Sequence, residues 1–519
     1  RAPRQRRAGR GRKAPKPLPD IAATPTTGTR GRHHADNRAG PAGRRRQAAT
    51  RPRSGPQGPE TPLATRKRRR DKRPMTTAPL PVDTALPALL DALARHRAAV
   101  LQAPPGAGKT TRVPLALDAE ALAQGRILML EPRRLAARAA AHRMAESLGE
   151  RPGASVGYRI RGESRTGPDT RIEVVTEGVL TRMIQADPGL DGVGAVILDE
   201  FHERSLNADL GLALCLEIRA ALRDDLILLP MSATLDAAPV AAAIDAPVVT
   251  AEGRAFPVET VWRDTPVRGR LEDATADAVR AALAAHAGSV LAFLPGAPEI
   301  RRTATRLDGT LPRGTTLHQL HGALPFDAQR AAIAPGAGRK VVLATSIAET
   351  SLTIEGITVV VDAGRARGAR FATGSGMSRL VTERVTRAEA VQRAGRAGRL
   401  APGTCYRLWT KGEEGALAAH PPPEIAVADL APLALELAAW GDPQARHLRF
   451  LTPPPEGALA EARALLHALG ATDAQGRITA HGRQLARLPL HPRLGHMLAR
   501  AGREAAPLGC APDHAPRDD

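Results

Sequence analysis

Short apolar runs alternate with Ala-, Leu- and Arg-rich segments from about residue 97 to about residue 410. The runs are apolar throughout instead of at every second position, which is typical of strands buried on both faces of a sheet. Strands that alternate with helices predict a parallel sheet covered by helices, so we expect an α/β fold. The candidate strands form two groups: AAVLQA (98–103), GRILMLEP (125–132), RIEVVT (171–176), AVILDE (195–200) and LILLPMSA (226–233), then SVLAFLPG (289–296), TTLHQLHG (315–322), RKVVLATS (339–346) and ITVVVDAG (357–364).

The two groups of strands predict two tandem α/β domains, and the rest of the chain has a different character. Beyond residue 410 there is no further strand run, and helical segments such as ADLAPLALELAAWG are interrupted by proline clusters. This pattern favours a small, mostly helical domain. We therefore expect a disordered basic tail, two α/β domains, a small helical domain and the start of another helical domain, at 1–74, 75–254, 255–410, 411–480 and 481–519.

The tail carries most of the net charge. The formal net charge of the sequence is +21, but residues 1–74 hold 23 Lys or Arg and four acids, which leaves 51 bases and 49 acids elsewhere. With few large apolar residues, the tail cannot offset the entropy of ordering, so disorder is expected. It is either a nucleic-acid-binding arm or a solvated extension ahead of a natural start at Met75, and the second interpretation is favoured. The basic composition therefore says little about the folded domains.

Cysteine usage and hydropathy exclude several classes of protein. Cys215, Cys405 and Cys510 lie far apart and form no CxxC pair, which argues against a disulfide scaffold or a structural metal site. A reducing, cytoplasmic compartment fits this pattern. No run approaches 18 apolar residues, so we expect a soluble protein without a membrane span or a secretory signal.

The segment APPGAGKTT (103–111) leads from the first candidate strand into a helix. Small residues here let backbone N–H groups close around phosphate oxygens at a helix N-terminus, where the dipole favours anions. Lys109 can then reach the β- and γ-phosphates, and Thr110 can bind Mg²⁺. The strict motif begins with Gly, not Ala103, but Lys109 is one of only seven lysines among 74 Lys and Arg, which supports the assignment. The residues expected to hold the nucleotide are Gly106, Ala107, Gly108, Lys109, Thr110 and Thr111.

Two carboxylates, Asp199 and Glu200, end the candidate strand AVILDE and are followed by His202. The carboxyl ends of parallel strands form the edge at which α/β sheets bind ligands. We expect Asp199 to hold Mg²⁺ through water and Glu200 to orient and deprotonate the attacking water. A DExH string alone is weak evidence, because strands often end in acids. Here it follows a phosphate loop and precedes the triplet SAT (232–234), so His202 is assigned to the site as well.

The segment QRAGRAGR (392–399) places arginines at 393, 396 and 399. On a helix, residues three apart share a face, so we expect the three guanidinium groups to point one way. Such a face can reach across a cleft and neutralise charge on a transferring phosphoryl group. A basic, solvated helix is the alternative, which the paired Ala-Gly spacers disfavour.

Residues 75 to about 500 resemble the superfamily 2 helicases of the DEAH-box kind, and specifically the bacterial HrpB group. The matching segments, in order, are APPGAGKT (motif I), EPRRLAARAAAHRMA (Ia), TEGVLTRM (Ib), LDEFHERS (II), MSATLD (III), HGALP, ATSIAETSLTIEGITVVVDAG (V) and QRAGRAGR (VI). The resemblance implies two RecA-like domains with the nucleotide in the cleft between them, then a winged-helix domain, then a helical ratchet domain. The last two correspond to 411–480 and 481–519.

The resemblance also implies roles for individual residues. Arg396 and Arg399 match arginine-finger positions, Gln392 lies near the attacking water, and Arg143 packs on the nucleotide base. The positions that match contacts of relatives with the nucleic-acid backbone are Arg133, Arg134, Thr176 and Thr345.

The expected function is that of an ATP-dependent nucleic-acid helicase or translocase. It would use ATP and Mg²⁺, act on single-stranded RNA rather than DNA, and need neither a membrane nor a structural metal. Because aromatic residues make up only 2% of the chain, recognition by base stacking is not expected. The alternatives are a DNA translocase that does not unwind and a nucleic-acid-binding scaffold whose ATPase is degenerate.

Three departures from the family pattern qualify these expectations. Motif II reads DEFH, which keeps the metal and base positions, and the segment AAIA (331–334) lacks the aromatic that relatives offer to the base, so base selectivity is expected to be poor. Relatives continue well beyond residue 519. We therefore expect the apolar stripe of the last helix to be exposed, at Leu494, Met497, Leu498 and Ala501.

Overall fold

A computed structural model of the protein describes residues 79–233, 237–253, 256–336, 338–349, 354–372 and 376–501. The predicted disordered tail, Thr234 of the SAT triplet and the chain after residue 501 lie outside the described residues. Within those ranges, no helix is long and apolar enough to cross a membrane.

The first domain contains a mostly parallel sheet. Its strands are β1 Val100–Gln102, β2 Arg126–Leu130, β3 Val156–Ile160, β4 Glu163–Arg165, β5 Ile172–Val175, β6 Val193–Leu198, β7 Ile227–Ser232 and β8 Val248–Thr250. They lie in the order β4-β3-β5-β2-β6-β7-β1-β8, and only β3 and β4 pair antiparallel. All side chains of β5, β6 and β7 are buried, as continuous apolar runs predict for strands covered on both faces.

Helices cover both faces of this sheet. They are α1 Leu86–His96, α2 Lys109–Ala119, α3 Arg134–Ser147, α4 Glu177–Ala186, α5 Leu206–Ala221 and α6 Ala238–Ile244. A 3₁₀ turn at Pro81–Thr84 precedes α1, and another at Phe201–Glu203 follows β6. Ser205 caps α5, since its side chain accepts a hydrogen bond from the backbone N–H of Ala208.

The second domain contains a fully parallel sheet and a separate hairpin. Its strands are β9 Val258–Trp262, β10 Ser289–Phe293, β11 Thr315–Leu320, β12 Arg339–Ala344, β13 Ile357–Asp362, β14 Arg365–Ala372, β15 Met377–Arg384 and β16 Gly403–Arg407. The sheet order is β11-β12-β10-β13-β16-β9, and β14 pairs with β15 as an antiparallel hairpin. The helices are α7 Leu271–Ala285, α8 Ala297–Leu307, α9 Phe326–Ile333 and α10 Arg387–Ala394, with a 3₁₀ turn at Ser346–Ala348.

The helical region that follows packs on the first domain. It contains α11 Lys411–Gly415, a 3₁₀ turn at Glu424–Ala426, α12 Ala431–Trp440, α13 Glu456–Ala468, α14 Ala480–Arg487 and α15 Pro492–Ala501. Apolar side chains of α12, α13 and α14 join the same core as those of α5 and β6. At its edge, Trp440 Nε1 donates to Glu217 Oε2 at 2.7 Å, and Arg204 donates to Thr452 Oγ1 at 2.9 Å. The helical region and the first domain therefore share one core.

The structure confirms the predicted α/β class, with two parallel sheets followed by a helical region, and all nine predicted strands. It adds strands that the apolar runs did not indicate, namely β3, β4, β8, β9, β14, β15 and β16. The five domain ranges stay predictions. On α15, Leu494 and Met497 are exposed by 51% and 63% and Ala501 is exposed, as expected for that stripe, whereas Leu498 is half-buried.

Candidate active site

The loop between β1 and α2 has the backbone geometry of a phosphate-binding loop. Gly106 and Gly108 have φ angles of +86° and +93°, in the left-handed region that glycine adopts without strain. Ala107 lies between them and is buried. Because α2 begins at Lys109, its first N–H groups have no acceptor within the helix, and such a helix end attracts anions.

Lys109 lies against the two carboxylates that follow β6. Its Nζ is 2.9 Å from Glu200 Oε1 and 3.9 Å from Asp199 Oδ1, and all three side chains are almost completely buried. Thr110 Oγ1 donates to Asp199 Oδ2 at 2.5 Å. Thr111 Oγ1 turns back instead to the carbonyl of Gly108, at 3.4 Å. The residues predicted from motifs I and II thus form one cluster.

The charges of this cluster set the pKa values of its carboxylates. Burial raises the pKa of Asp199 to about 6. Burial would also raise the pKa of Glu200, but the ammonium of Lys109 outweighs burial and lowers this pKa to about 2. For Lys109, burial favours the neutral form, yet Glu200 and Asp199 outweigh burial and raise the pKa. Glu200 is therefore ionised at neutral pH, as a proton acceptor must be.

His202 connects motif II to the segment after β7. Its Nδ1 accepts a hydrogen bond from the backbone N–H of Ala233 at 3.3 Å and lies 3.5 Å from Glu200 Oε2. Burial lowers the pKa of His202, which keeps the ring neutral and able to accept at Nδ1. Because Glu200 itself has a φ of +50°, an unfavourable value for a residue other than glycine, this turn is held by its surroundings.

Thr110 and Asp199 offer a set of oxygen atoms that fits Mg²⁺. The hydroxyl and the carboxylate already point at each other across 2.5 Å. Mg²⁺ prefers such hard oxygen ligands and is commonly held by one or two carboxylates together with substrate phosphates. The predicted metal residues therefore suit this ion.

The three arginines of segment 392–399 do not share one helical face, so that part of the prediction is wrong. α10 ends at Ala394, and residues 395–399 continue as turns, because Gly395 and Gly398 have poor helix propensity. Arg393 still belongs to the helix and is 1% exposed, so it turns into the second domain. The other two arginines have different surroundings.

Arg393 is part of a buried ion-pair network. Its Nε donates to Glu349 Oε1 at 2.5 Å, its Nη1 donates to Asp362 Oδ1 at 2.9 Å, and its guanidinium carbon lies 5.1 Å from the ring centroid of Phe293. Burial opposes the charge of Arg393, but Glu349 and Asp362 outweigh it and raise the pKa of this guanidinium. This arginine stabilises the second domain.

We expect Arg393→Ala to lower the unfolding free energy of the second domain by about 3–5 kcal/mol, the cost of breaking a buried ion pair and leaving charge uncompensated. Urea unfolding monitored in the full chain measures this effect. The matched control is Arg379→Ala on the exposed hairpin strand β15, for which we expect a change within about 0.5 kcal/mol. Equal unfolding midpoints for the two variants would contradict the structural role of Arg393.

Arg396 and Arg399 of the second domain face the motifs of the first. Arg399 Nε lies 3.9 Å from the position that a Cβ on Gly106 would occupy, so its side chain rests against the phosphate loop. Arg396 Nε donates to the carbonyl of Glu349 at 2.8 Å. Burial lowers the pKa of both guanidinium groups, and the charge of Arg399 lowers the pKa of Arg396 further. The carboxylate of Glu200 acts in the opposite direction on both groups. Two like charges beside a phosphate loop, the buried Arg396 and the half-buried Arg399, favour an anion between the domains.

Arg133 joins the two domains at a second place. Its Nη1 donates to the carbonyls of Ser346 and Ile347 in the second domain, at 3.0 and 3.2 Å. Its Nη2 pairs with Glu203 Oε1, which follows motif II, at 2.9 Å. Arg133 therefore connects motif II of the first domain with the backbone of the second.

The remaining predicted residues lie outside this cluster. Arg134, Thr176 and Thr345 each stand at the beginning of a helical element, namely α3, α4 and the 3₁₀ turn at 346–348. Helix N-termini of this kind suit phosphate groups. Gln392 is half-buried on α10 and Arg143 is exposed on α3. The nucleic-acid, water-orienting and base-packing roles of these residues stay predictions.

Glu349 is a functional residue that the sequence did not indicate. Its carboxylate accepts from Arg393 and its carbonyl accepts from Arg396, so one residue orients two of the three arginines of the segment. It lies within motif V, 44 residues ahead of Arg393, and no periodicity in a single sequence connects the two positions.

Comparison with protein-family models gives three matches in sequence order. The DEAD/DEAH box helicase model matches residues 83–242, the helicase conserved C-terminal domain matches 274–401, and the winged-helix helicase associated domain (HA2) matches 462–490. The first model covers the phosphate loop and motif II, and the second covers the arginine segment. The two sheets therefore correspond to the two RecA-like domains of helicases.

Individual relatives extend this result. The ATP-dependent RNA helicase HrpB of Escherichia coli (strain K12) is 51% identical over 81% of this chain and 52% of its own length. The ATP-dependent RNA helicase HrpA of the same organism is 35% identical over 85% of this chain and 35% of its own length. The crystal structure of the Escherichia coli DEAH/RHA helicase HrpB superposes with a TM-score of 0.79 at 50% identity, covering 84% of this chain and 57% of that one. The chain thus spans about half the length of HrpB.

Three ordered family matches, the similarity to HrpB and a cleft that brings motifs I, II and VI together lead to one conclusion: this chain contains a DEAD/DEAH box helicase domain, a helicase conserved C-terminal domain and a helicase-associated winged-helix domain.

Proposed function

We propose that this protein is an ATP-dependent RNA helicase or translocase that hydrolyses ATP with Mg²⁺. The observation that carries the proposal is the composition of the cleft. Lys109, Asp199 and Glu200 of the first domain lie together, and Arg396 and Arg399 of the second domain face them. A phosphate cradle, a general base and two cations on opposite sides of one cleft are the parts that phosphoryl transfer to water requires.

Each residue has a distinct task in this proposal. The ammonium of Lys109, which lies 2.9 Å from Glu200 Oε1, binds the β- and γ-phosphates. The carboxylate of Glu200 accepts a proton from the attacking water. Arg396 and Arg399 stabilise the charge that develops on the transferred phosphoryl group. Bound Mg²⁺, held by Thr110 and Asp199, supplies neutralisation of phosphate charge.

ATP hydrolysis would be coupled to relative movement of the two α/β domains at the surface where they contact each other. Arg133 contacts the second domain at the backbone carbonyls of residues 346 and 347, while Arg399 contacts the phosphate loop. Nucleotide at the loop and a phosphate strand at Arg133, Arg134, Thr176 and Thr345 therefore act on the same pair of domains. Alternating closure and opening would advance the chain along single-stranded nucleic acid, with contacts to phosphate and little sequence preference.

The choice of RNA rests on the relatives, since HrpB and HrpA are both named ATP-dependent RNA helicases. A DNA translocase without unwinding activity is the second candidate, because the proposed contacts are to phosphate, whereas a protein distinguishes RNA from DNA by contacts to the 2′-hydroxyl. The intact cleft disfavours a scaffold with a degenerate ATPase. We also propose a cytoplasmic location, because three cysteines without a CxxC pair fit a reducing compartment.

Stimulation of ATP hydrolysis by single-stranded RNA and single-stranded DNA of equal length, at fixed salt, tests the substrate. We expect RNA to stimulate the full chain more than DNA. Lys109→Ala serves as the control, because its residual activity reports contaminating ATPase. Equal stimulation by both strands would favour the DNA translocase, and no hydrolysis above the control would favour the scaffold.

A further inference from the structure

A short segment ahead of the first helix lies directly on the phosphate loop. Residues 80–83 form most of the 3₁₀ turn before α1 and belong to none of the helicase motifs. The backbone N–H of Val82 donates to the carbonyl of Ala107 at 3.0 Å. Val82 is itself completely buried. The segment therefore holds the loop through a main-chain hydrogen bond in the interior.

The hydrogen bond from Val82 fixes the orientation of a peptide group that matters for anion binding. In a trans peptide unit, the carbonyl of one residue and the N–H of the next point in opposite directions. Because the carbonyl of Ala107 points toward residues 80–83, the N–H of Gly108 points away from them, toward the opposite side of the loop. That N–H is among the donors that a helix N-terminus offers to a phosphate.

Leu80 holds Gly108 by packing. A Cβ added to Gly108 would lie 2.5 Å from Leu80 Cδ1 and 3.1 Å from Leu80 Cβ, so the leucine occupies the space directly over this glycine. Gly108 has a φ of +93° and no side chain of its own to restrict it. Contact with Leu80 therefore restricts the backbone of Gly108 in place of a side chain.

Asp83 holds the segment in place. Its Oδ2 accepts from the backbone N–H of Leu80 at 2.7 Å, and its Oδ1 lies 3.5 Å from Nε of Arg112, a buried residue on α2. One carboxylate therefore connects the position of Leu80 to the helix that the phosphate loop begins.

We propose that residues 80–83 are a brace that keeps the phosphate loop in its anion-binding conformation, so that Leu80 and Asp83 are positioning residues for the triphosphate. The proposal rests on the proposed function in that the ligand is a nucleoside triphosphate. The brace acts on the phosphates through the loop and not on the base. The proposal therefore predicts that disrupting the brace weakens the affinity for ATP and for any other ligand with the same phosphate chain by the same factor.

The test compares the binding of ATP and of inorganic tripolyphosphate, which has no base, to the full chain, by displacement of a fluorescent ATP analogue with Mg²⁺ present. We expect Leu80→Ala and Asp83→Asn each to weaken both ligands by about fivefold, equivalent to roughly 1 kcal/mol. In steady-state hydrolysis, KM for ATP should rise by a similar factor while kcat stays close to that of the parent. Leu80→Met keeps the packing volume and should restore affinity.

Two control variants separate positioning from loss of stability. Leu86→Ala removes another half-buried leucine at the start of α1, and Asp91→Asn removes a carboxylate that pairs only with Arg95 among the contacts of the described residues. Both should leave the affinity for either ligand unchanged, even where the melting temperature falls.

Three results would overturn the brace. Unchanged affinity in Leu80→Ala and Asp83→Asn is the first, and an equal loss in Leu86→Ala is the second. Weakened binding of ATP with unchanged binding of tripolyphosphate is the third, because it would place the segment at the base. A parent that binds both ligands without hydrolysing ATP would contradict the proposed function alone, since the comparison of affinities would still decide on the brace.

Discussion

Glu200→Gln should leave ATP binding intact and lower the rate of hydrolysis by about 10²-fold or more, the contribution typical of a general base. Glutamine keeps the size of the side chain and an oxygen that can accept from Lys109, which lies 2.9 Å from Glu200 Oε1. It cannot take a proton from water. Single-turnover hydrolysis, together with a separate measurement of ATP affinity, distinguishes these two effects.

Two further variants serve as comparisons for Glu200→Gln. Lys109→Ala should weaken ATP binding itself, because it removes the cation that contacts the phosphates. Glu173→Gln changes another fully buried carboxylate of the same sheet, which pairs with Arg126 and Arg159 away from the cleft. We expect it to alter stability but not the turnover of folded protein. A Glu200→Gln enzyme that turns over as fast as the parent would remove this residue from the mechanism.

Arg399→Ala and Arg396→Ala should each reduce single-turnover hydrolysis by about 10³-fold, the lower end of the range for arginine fingers. The reason is their position on the second domain: Arg399 rests against the phosphate loop, and the charge of Arg396 is felt at Glu200. Arg399→Lys should recover little, because an ammonium on a different stem does not reproduce the planar guanidinium.

Arg384→Ala provides the matched control for these variants, since this arginine of the same domain pairs with Glu413 at the surface. Its hydrolysis rate should equal that of the parent. If the Arg396 and Arg399 variants instead hydrolyse bound ATP at the rate of the Arg384 variant, the two arginines only support the structure of the seam between the domains.

The apolar runs predicted the fully buried strands, but they indicated neither three of the edge strands nor the interior strands β3 and β16. β5, β6 and β7 are buried on both faces, so their continuous apolar runs were sufficient to predict them. β4 and β8 are short and largely exposed at the two edges of the first sheet, and β9 is the half-exposed edge of the second. Such strands are defined by pairing with a neighbour, which local composition does not reveal.

The candidate site shows the same division between local and long-range information. Asp199 and Glu200 could be placed because they directly follow a predictable strand, and Lys109 could be placed because it follows a glycine-containing loop between a predictable strand and a helix. The arginine segment could not, because a three-residue spacing is compatible with a helix or with a helix followed by turns, and Gly395 decides between them. The contacts of Leu80 with Gly108 and of Arg133 with Ser346 join positions that no local pattern relates.

The core shared by α5 and α12 has a consequence for the chain during its synthesis on the ribosome. α12 begins about 210 residues after the end of α5. At a synthesis rate of about 5–20 residues per second, the apolar face of α5 therefore remains uncovered for roughly 10–40 seconds before α12 is made. The whole second sheet emerges during this interval. The nascent first domain therefore stays aggregation-prone until the helical region is synthesised. Its core is completed only after the whole second domain has been made.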